Sequence, residues 1–176
     1  AGLPAPLATG LDGCGAPTFV LPLTALARAF CQLANPDGVS SVRAAACHSI
    51  FEAVGQAPLL LAGEQRLCTA LVRVWPGRSF AKNGAEGVYV LSLAPDAKRS
   101  KWPGAIGIAI KIDDGTERGY QPVVIDLLKW LGAFAGDVVP EALARFANIP
   151  IHNTQKLLVG DVHSVVDWAG VSGAQR

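Results

Sequence analysis

Val88-Tyr89-Val90-Leu91-Ser92-Leu93 and Ala105-Ile106-Gly107-Ile108-Ala109-Ile110-Lys111-Ile112 are the stretches whose reading decides the fold. The first reads as a strand. The second is a nearly continuous apolar run, which implies a strand covered on both faces. Gly107 inside it points to a bulge or to a close backbone approach. A charged turn at 95–103 joins the two, so they are expected to pair antiparallel.

Ahead of these strands the apolar spacing is helical. Leu23, Leu26, Ala27, Phe30, Leu33 and Ala34 repeat on one helix face, and Asn35-Pro36-Asp37-Gly38 ends that helix. A second helix, capped by Ser40 or Ser41 and closed by Gly55, is expected to bury Val42, Ala45, Ala46, Ser49, Ile50 and Ala53. Pro58-Leu59-Leu60-Leu61-Ala62-Gly63 reads as an apolar linker, and 64–74 as a third helix broken by Trp75-Pro76-Gly77. After the strands come helices at 121–134 and 140–146 and a last strand at 156–166. Residues 1–9 look extended. The fold expected is a single α+β domain over 1–176, an α/β/α sandwich with an antiparallel sheet and helices on both faces.

Of the 176 residues, 51% are apolar and 16% charged, enough for a large core. The net charge is +1 and no basic run is present, which argues against a nucleic-acid partner. No apolar run reaches the roughly 18 residues needed to span a bilayer, so no membrane partner is expected. A chain that opens on Ala1 and holds no Met reads as a processed or cleaved piece. Cys31, Cys47 and Cys68 lie in apolar helical patterns and read as buried free thiols. That favours a reducing compartment, and a cytoplasmic location is expected.

Two stretches could carry chemistry. Leu11-Asp12-Gly13-Cys14-Gly15-Ala16-Pro17 sets an acid and a thiol in a glycine-rich turn ahead of an apolar helix. At a helix N-terminus, amide dipoles would favour a thiolate, a nucleophile or soft metal ligand; the bland reading is a turn aspartate beside a quiet cysteine. Ala81-Lys82-Asn83-Gly84-Ala85-Glu86-Gly87 sets a lysine among glycines before a strand, either near a substrate or solvated in a loop. Ser79-Phe80-Ala81-Lys82 fits S-x-x-K, but that needs a helix, which Pro76, Gly77 and Gly84 oppose. Lys111 reaches across a cleft or marks an exposed edge. Arg66 pairs with a carboxylate substrate or lies on a helix surface. The histidines receive no role.

Taken in order, Asp12-Gly13-Cys14-Gly15-Ala16-Pro17-Thr18-Phe19, Pro58-Leu59-Leu60-Leu61-Ala62-Gly63, Lys82-Asn83-Gly84-Ala85-Glu86-Gly87 and Gly107-Ile108-Ala109-Ile110-Lys111-Ile112-Asp113-Asp114-Gly115 resemble the Rhizobium etli-type L-asparaginases, the asparaginase II family. The resemblance runs from about Leu11 to Val162 and corresponds to the C-terminal half of the family's chain. It implies a serine β-lactamase/transpeptidase-like fold, here only its C-terminal portion, and hydrolysis of L-asparagine to L-aspartate and ammonia. It implies that Cys14 is a zinc ligand, that Asp12 lies near the metal through water, and that Lys82 is catalytic. Arg66, Gly84 and Glu86 are the substrate-binding candidates.

The family's S-x-x-K nucleophile and its C-S-G-K-H zinc ligands belong to the first half of its chain, and Ser79 does not stand at the family's nucleophile position. The expected partner is therefore the N-terminal half of the same protein, or a second chain, in an oligomer. Alone, the chain is expected to be inactive and to leave sheet edges and apolar surface uncovered. Competing readings are a glutaminase or other serine amidase of the same fold, and a non-catalytic binding or assembly remnant.

Overall fold

The computed structural model describes residues 7–96 and 101–171. Expectations that fall on residues 1–6, on 97–100 within the charged turn and on the polar tail at 172–176 lie outside the described residues.

Among the described residues three antiparallel sheets form. β1 (Thr9–Leu11) and β2 (Pro17–Phe19) make a hairpin. β3 (Ser79–Asn83), β4 (Val88–Leu93) and β5 (Ile106–Lys111) make a sheet in that order, and β6 (Asn148–His152) pairs with β7 (Leu158–His163). The helices are α1 (Leu23–Ala34), α2 (Ser41–Gln56), α3 (Pro58–Ala62), α4 (Leu67–Val74), α5 (Glu117–Trp130), α6 (Glu141–Ala147) and α7 (Trp168–Val171). Among the described residues no helix is long and apolar enough to cross a membrane.

β4 is the middle strand of the three, and all of it from Tyr89 to Leu93 is buried. Tyr89, Leu91 and Leu93 stand opposite Ile110, Ile108 and Ile106 of β5. With Ala81 they join the core that Leu67 and Leu71 of α4 and Val124 and Leu128 of α5 complete. Each such aliphatic side chain, fully buried, contributes about 1.5–3 kcal/mol. The alternate residues Phe80, Ser92 and Gly107 share one row across the other face. There the Phe80 ring lies 5.7 Å from Phe30 of α1 and 6.4 Å from Phe51 of α2.

Gly107 is the close approach that its sequence allowed, with no register shift in the β4–β5 pairing. A Cβ there would lie 2.0 Å from the Ala27 carbonyl oxygen and 2.4 Å from the Cys31 amide nitrogen, both in α1. The backbone of β5 therefore lies directly on the backbone of α1.

Several expectations change. α2 buries the stripe of Phe51, with Ala44, Cys47 and Val54 half-buried, whereas Val42, Ala45, Ala46, Ser49, Ile50 and Ala53 are exposed. The helix is alanine-rich with two weakly apolar stripes, and the aromatic ring decides between them. Gly55 near its end admits Gly77, whose amide nitrogen would sit 2.4 Å from an added Cβ.

The expected linker at Pro58 is the short helix α3, with proline at its first turn. β3 was expected as a loop. As a strand it sends Ser79 and Lys82 to opposite faces, and the Ser79 hydroxyl is buried, donating within hydrogen-bond range of the Leu71 and Trp75 carbonyls. The S-x-x-K reading fails on that geometry. The strand expected at 156–166 pairs with β6, which was not expected as a strand, in a sheet separate from β4. Of the three thiols expected to be buried, Cys68 is, and Cys31 and Cys47 are half-buried; all four cysteines are free.

Replacing Gly107 with valine is expected to cost about 3 kcal/mol, the upper range for forcing atoms into a packed interface. Gly160→Ala, where an added Cβ meets nothing within 4 Å, serves as control and should change stability by less than about 0.5 kcal/mol. Urea unfolding midpoints check both.

Candidate functional site

The β3–β4 hairpin builds the lysine-bearing site. Val88 donates its N–H to the Ala85 carbonyl at 3.2 Å. Glu86 (φ 56°) and Gly87 (φ 70°) are the two central residues of that turn, the conformation that a tight hairpin demands. A Cβ at Gly87 would lie 3.0 Å from the Ile112 carbonyl oxygen, and one at Gly115 would lie 3.1 Å from a Glu86 carboxylate oxygen. The two glycine-bearing loops thus close on each other, and Ile112 N–H donates to the Gly87 carbonyl at 3.0 Å. Gly84 and Glu86 are both exposed on this hairpin.

β3 has no partner on its outer side among the described residues. Gly84 N–H donates to the Val88 carbonyl, and Ala94 N–H to the Arg78 carbonyl, each at 2.8 Å. Antiparallel alternation then turns the N–H and C=O of Ala81 and Asn83 outward. The Lys82 ammonium reaches this open edge. It donates to the Asn83 carbonyl oxygen at 3.1 Å and to Asn83 Oδ1 at 3.0 Å.

A chain of contacts runs inward from there. Cys68 Sγ, in α4, donates to Asn83 Oδ1 at 3.6 Å. Burial pushes the Cys68 thiol up, against the opposing pull of Tyr89, the Asn83 backbone and the Lys82 charge. Tyr89 is wholly buried; burial and then the neighbouring Cys68 push its phenol well up, and among the described residues its hydroxyl has no hydrogen-bond partner. Its ring stacks on Tyr120 at 4.6 Å.

Tyr120, pushed up to about 12 by burial and then by the Glu117 carboxylate, donates to Glu117 Oε2 at 3.4 Å. Glu117 forms an ion pair with Arg66. Lys82 and Arg66, apart in sequence, are thereby linked through one cluster. Lys111 is exposed and donates to the Ile112 carbonyl at 2.6 Å. Asp114 takes the Thr116 N–H and hydroxyl at 2.8 Å each, and those bonds hold its carboxyl below the usual range.

Asp12 and Cys14 sit elsewhere, at the tip of the β1–β2 hairpin. Asp12 Oδ1 accepts from the Cys14 amide at 2.8 Å and the Ala16 amide at 2.9 Å. The turn does not abut a helix, as expected from sequence, because Pro17-Thr18-Phe19 pairs back on Thr9-Gly10-Leu11 before α1 begins. Cys14 is exposed. Among the described residues no three His, Cys, Asp or Glu side chains converge as a metal would need. One thiolate is one of the three or four protein ligands that zinc takes, so these residues by themselves do not make a zinc centre. No hydrogen bond among those described joins this hairpin to the Lys82 cluster.

From sequence Cys68 read only as a buried thiol and Asn83 only as a neighbour of Lys82, and Tyr89, Glu117 and Tyr120 were given no site role. The hairpin turn could have placed Asn83 opposite Tyr89; nothing local in the sequence could have brought α4 and α5 to them.

An α+β chain with a lysine ammonium held at an open strand edge matches the family model described as L-asparaginase II over residues 1–164. The chain belongs to that family. No curated protein matches it.

The raised Cys68 and Tyr89 groups predict alkaline sensitivity. Folded, both hold their protons more tightly than unfolded, so the unfolded chain loses protons first as pH passes the ordinary values of 9.0 and 10.0. Stability is then complete below these values and falls above them. Tyr89→Phe should reduce that fall and, because the hydroxyl has no partner, should change stability at neutral pH by no more than about 1 kcal/mol. Urea unfolding from neutral pH to about pH 10.5 checks the slope; an unchanged slope in the variant would count against the account.

Proposed function

We propose that this chain works as part of an L-asparaginase of the Rhizobium etli type, hydrolysing L-asparagine to L-aspartate and ammonia. The observation that carries the reading is the family match over residues 1–164, and the Lys82 ammonium at an open strand edge is consistent with it. In this reading the three-stranded sheet, with α1 on one face and α4 and α5 on the other, belongs to a serine β-lactamase-like α/β/α sandwich.

The reaction would be acyl transfer. A serine oxygen, supplied by an N-terminal half or a second chain, attacks the side-chain carbonyl carbon of asparagine, and Lys82 moves the proton between nucleophile and leaving group. The tetrahedral oxyanion collapses, ammonia leaves, and water cleaves the ester to free aspartate. Arg66 would meet the substrate's carboxylate by exchanging it for Glu117, an exchange that a half-exposed pair permits at small cost. Gly84 and Glu86 would line the same approach. Cys14 would give one thiolate to zinc, with Asp12 near it through water and the remaining ligands from outside this chain.

In full-length protein of verified intact mass, Lys82→Ala is expected to slow ammonia release from asparagine about 1,000-fold, the range of a positioned acid–base group. A variant as fast as wild type would remove Lys82 from the chemistry. Cys14→Ser is expected to lower zinc content measured by mass spectrometry, and unchanged zinc would overturn the ligand assignment.

A further inference from the structure

We infer that Asn83 is a positioning residue for the Lys82 ammonium and that Cys68 holds Asn83 in that role. The inference rests on the reading that Lys82 acts on the amide substrate, and it concerns how that group is kept in place.

A lysine head on a four-carbon stem has many rotamers, and fixing one requires partners that are themselves fixed. Lys82 Nζ has two acceptors from a single residue, the Asn83 carbonyl at 3.1 Å and Asn83 Oδ1 at 3.0 Å. The carbonyl is set by the strand. The side-chain amide is not, because its own torsions are free unless something holds it. Cys68 Sγ supplies that hold at 3.6 Å. The thiol is carried on a helix and is 1% exposed, so it cannot swing away to solvent. Oδ1 has two lone pairs, and the ammonium and the thiol take one each.

The chemistry suits the task. An amide accepts from the ammonium without adding a charge, whereas a carboxylate at the same place would favour the charged form of the lysine. The buried thiol stays protonated as a donor. Both partners are neutral groups, and each acts on the chemistry only through Lys82.

The test uses full-length protein and asparagine, with kcat and KM measured separately. Asn83→Ala is expected to lower kcat about tenfold, the order of one charge-assisted hydrogen bond, with KM within about twofold because substrate contacts remain. Cys68→Ala should lower kcat by a smaller factor, and Cys68→Ser, which keeps a donor, should recover it. The double variant Asn83→Ala/Cys68→Ala should be no slower than Asn83→Ala alone, because Cys68 acts through Asn83. Multiplying losses, or wild-type kcat in Asn83→Ala, overturns the inference.

Lys82→Ala measured beside them separates the two levels. Full turnover in that variant removes the catalytic reading of Lys82. Lost turnover there with an unaffected Asn83→Ala removes only the positioning role. An arm without turnover reads the geometry directly, using ¹⁵N-lysine labelling and NMR of the Lys82 side-chain ammonium, which keeps all three N–H donors. Its signal should be displaced from that of free lysine in wild type and return toward it in Asn83→Ala. A signal that the substitution leaves unmoved overturns the inference, even if asparagine is not the substrate.

Discussion

The contact between Gly107 and α1 is the constraint on which the sheet's arrangement rests. An added Cβ would lie 2.0 Å from the Ala27 carbonyl oxygen, so only glycine allows the two backbones to meet. The row across the sheet grades the spacing: Gly107 on β5, Ser92 on β4 and Phe80 on β3. Side chains grow from none to a full ring along that row. The helical layer therefore sits flush on β5, and at β3 the gap is filled by Phe80 against Phe30 and Phe51. Ser92 shows what close packing costs, since among the described residues its buried hydroxyl has no partner.

The opposite face is packed differently. Leu91, Leu93 and Ile108 meet aliphatic side chains of α4 and α5. At the end of the sheet near the β3–β4 turn the same layer becomes polar, through Cys68, Asn83, Tyr89, Tyr120, Glu117 and Arg66. Burial raises the proton affinity of the thiol and of both phenols, so these groups are neutral where the lysine and arginine carry charge. The open edge of β3 matters for the same reason. A fourth strand there would take the outward carbonyl of Asn83, which Lys82 takes instead.

β4, β5, α1 and α6 were legible in the sequence because each is marked by strong apolar patterning or by proline and glycine punctuation. The buried face of α2 was not, since an alanine-rich helix offers two stripes of nearly equal apolarity and only contact with Phe80 selects Phe51. β3 and β6 were missed because each is short and polar or proline-bearing, and ladder pairing with a neighbour supplies what local propensity does not. Lys82 and Arg66 were legible as candidates. The link between them was not, because it passes through residues on α4, β4 and α5.

The sequence by itself determined the central antiparallel pair, narrowed Gly107 to a bulge or a close approach, and set the positions of the glycines that let the β3–β4 and β5–α5 loops meet. These follow from local rules: apolar runs that must be covered, and backbone conformations or contacts open only to glycine. Tertiary structure alone decided which helix stripe is buried, that Cys14 tops a hairpin and not a helix, and that a buried thiol meets the side-chain amide that accepts from the Lys82 ammonium. Those outcomes depend on packing between elements distant in the chain, and no local spacing records which distant side chain will arrive.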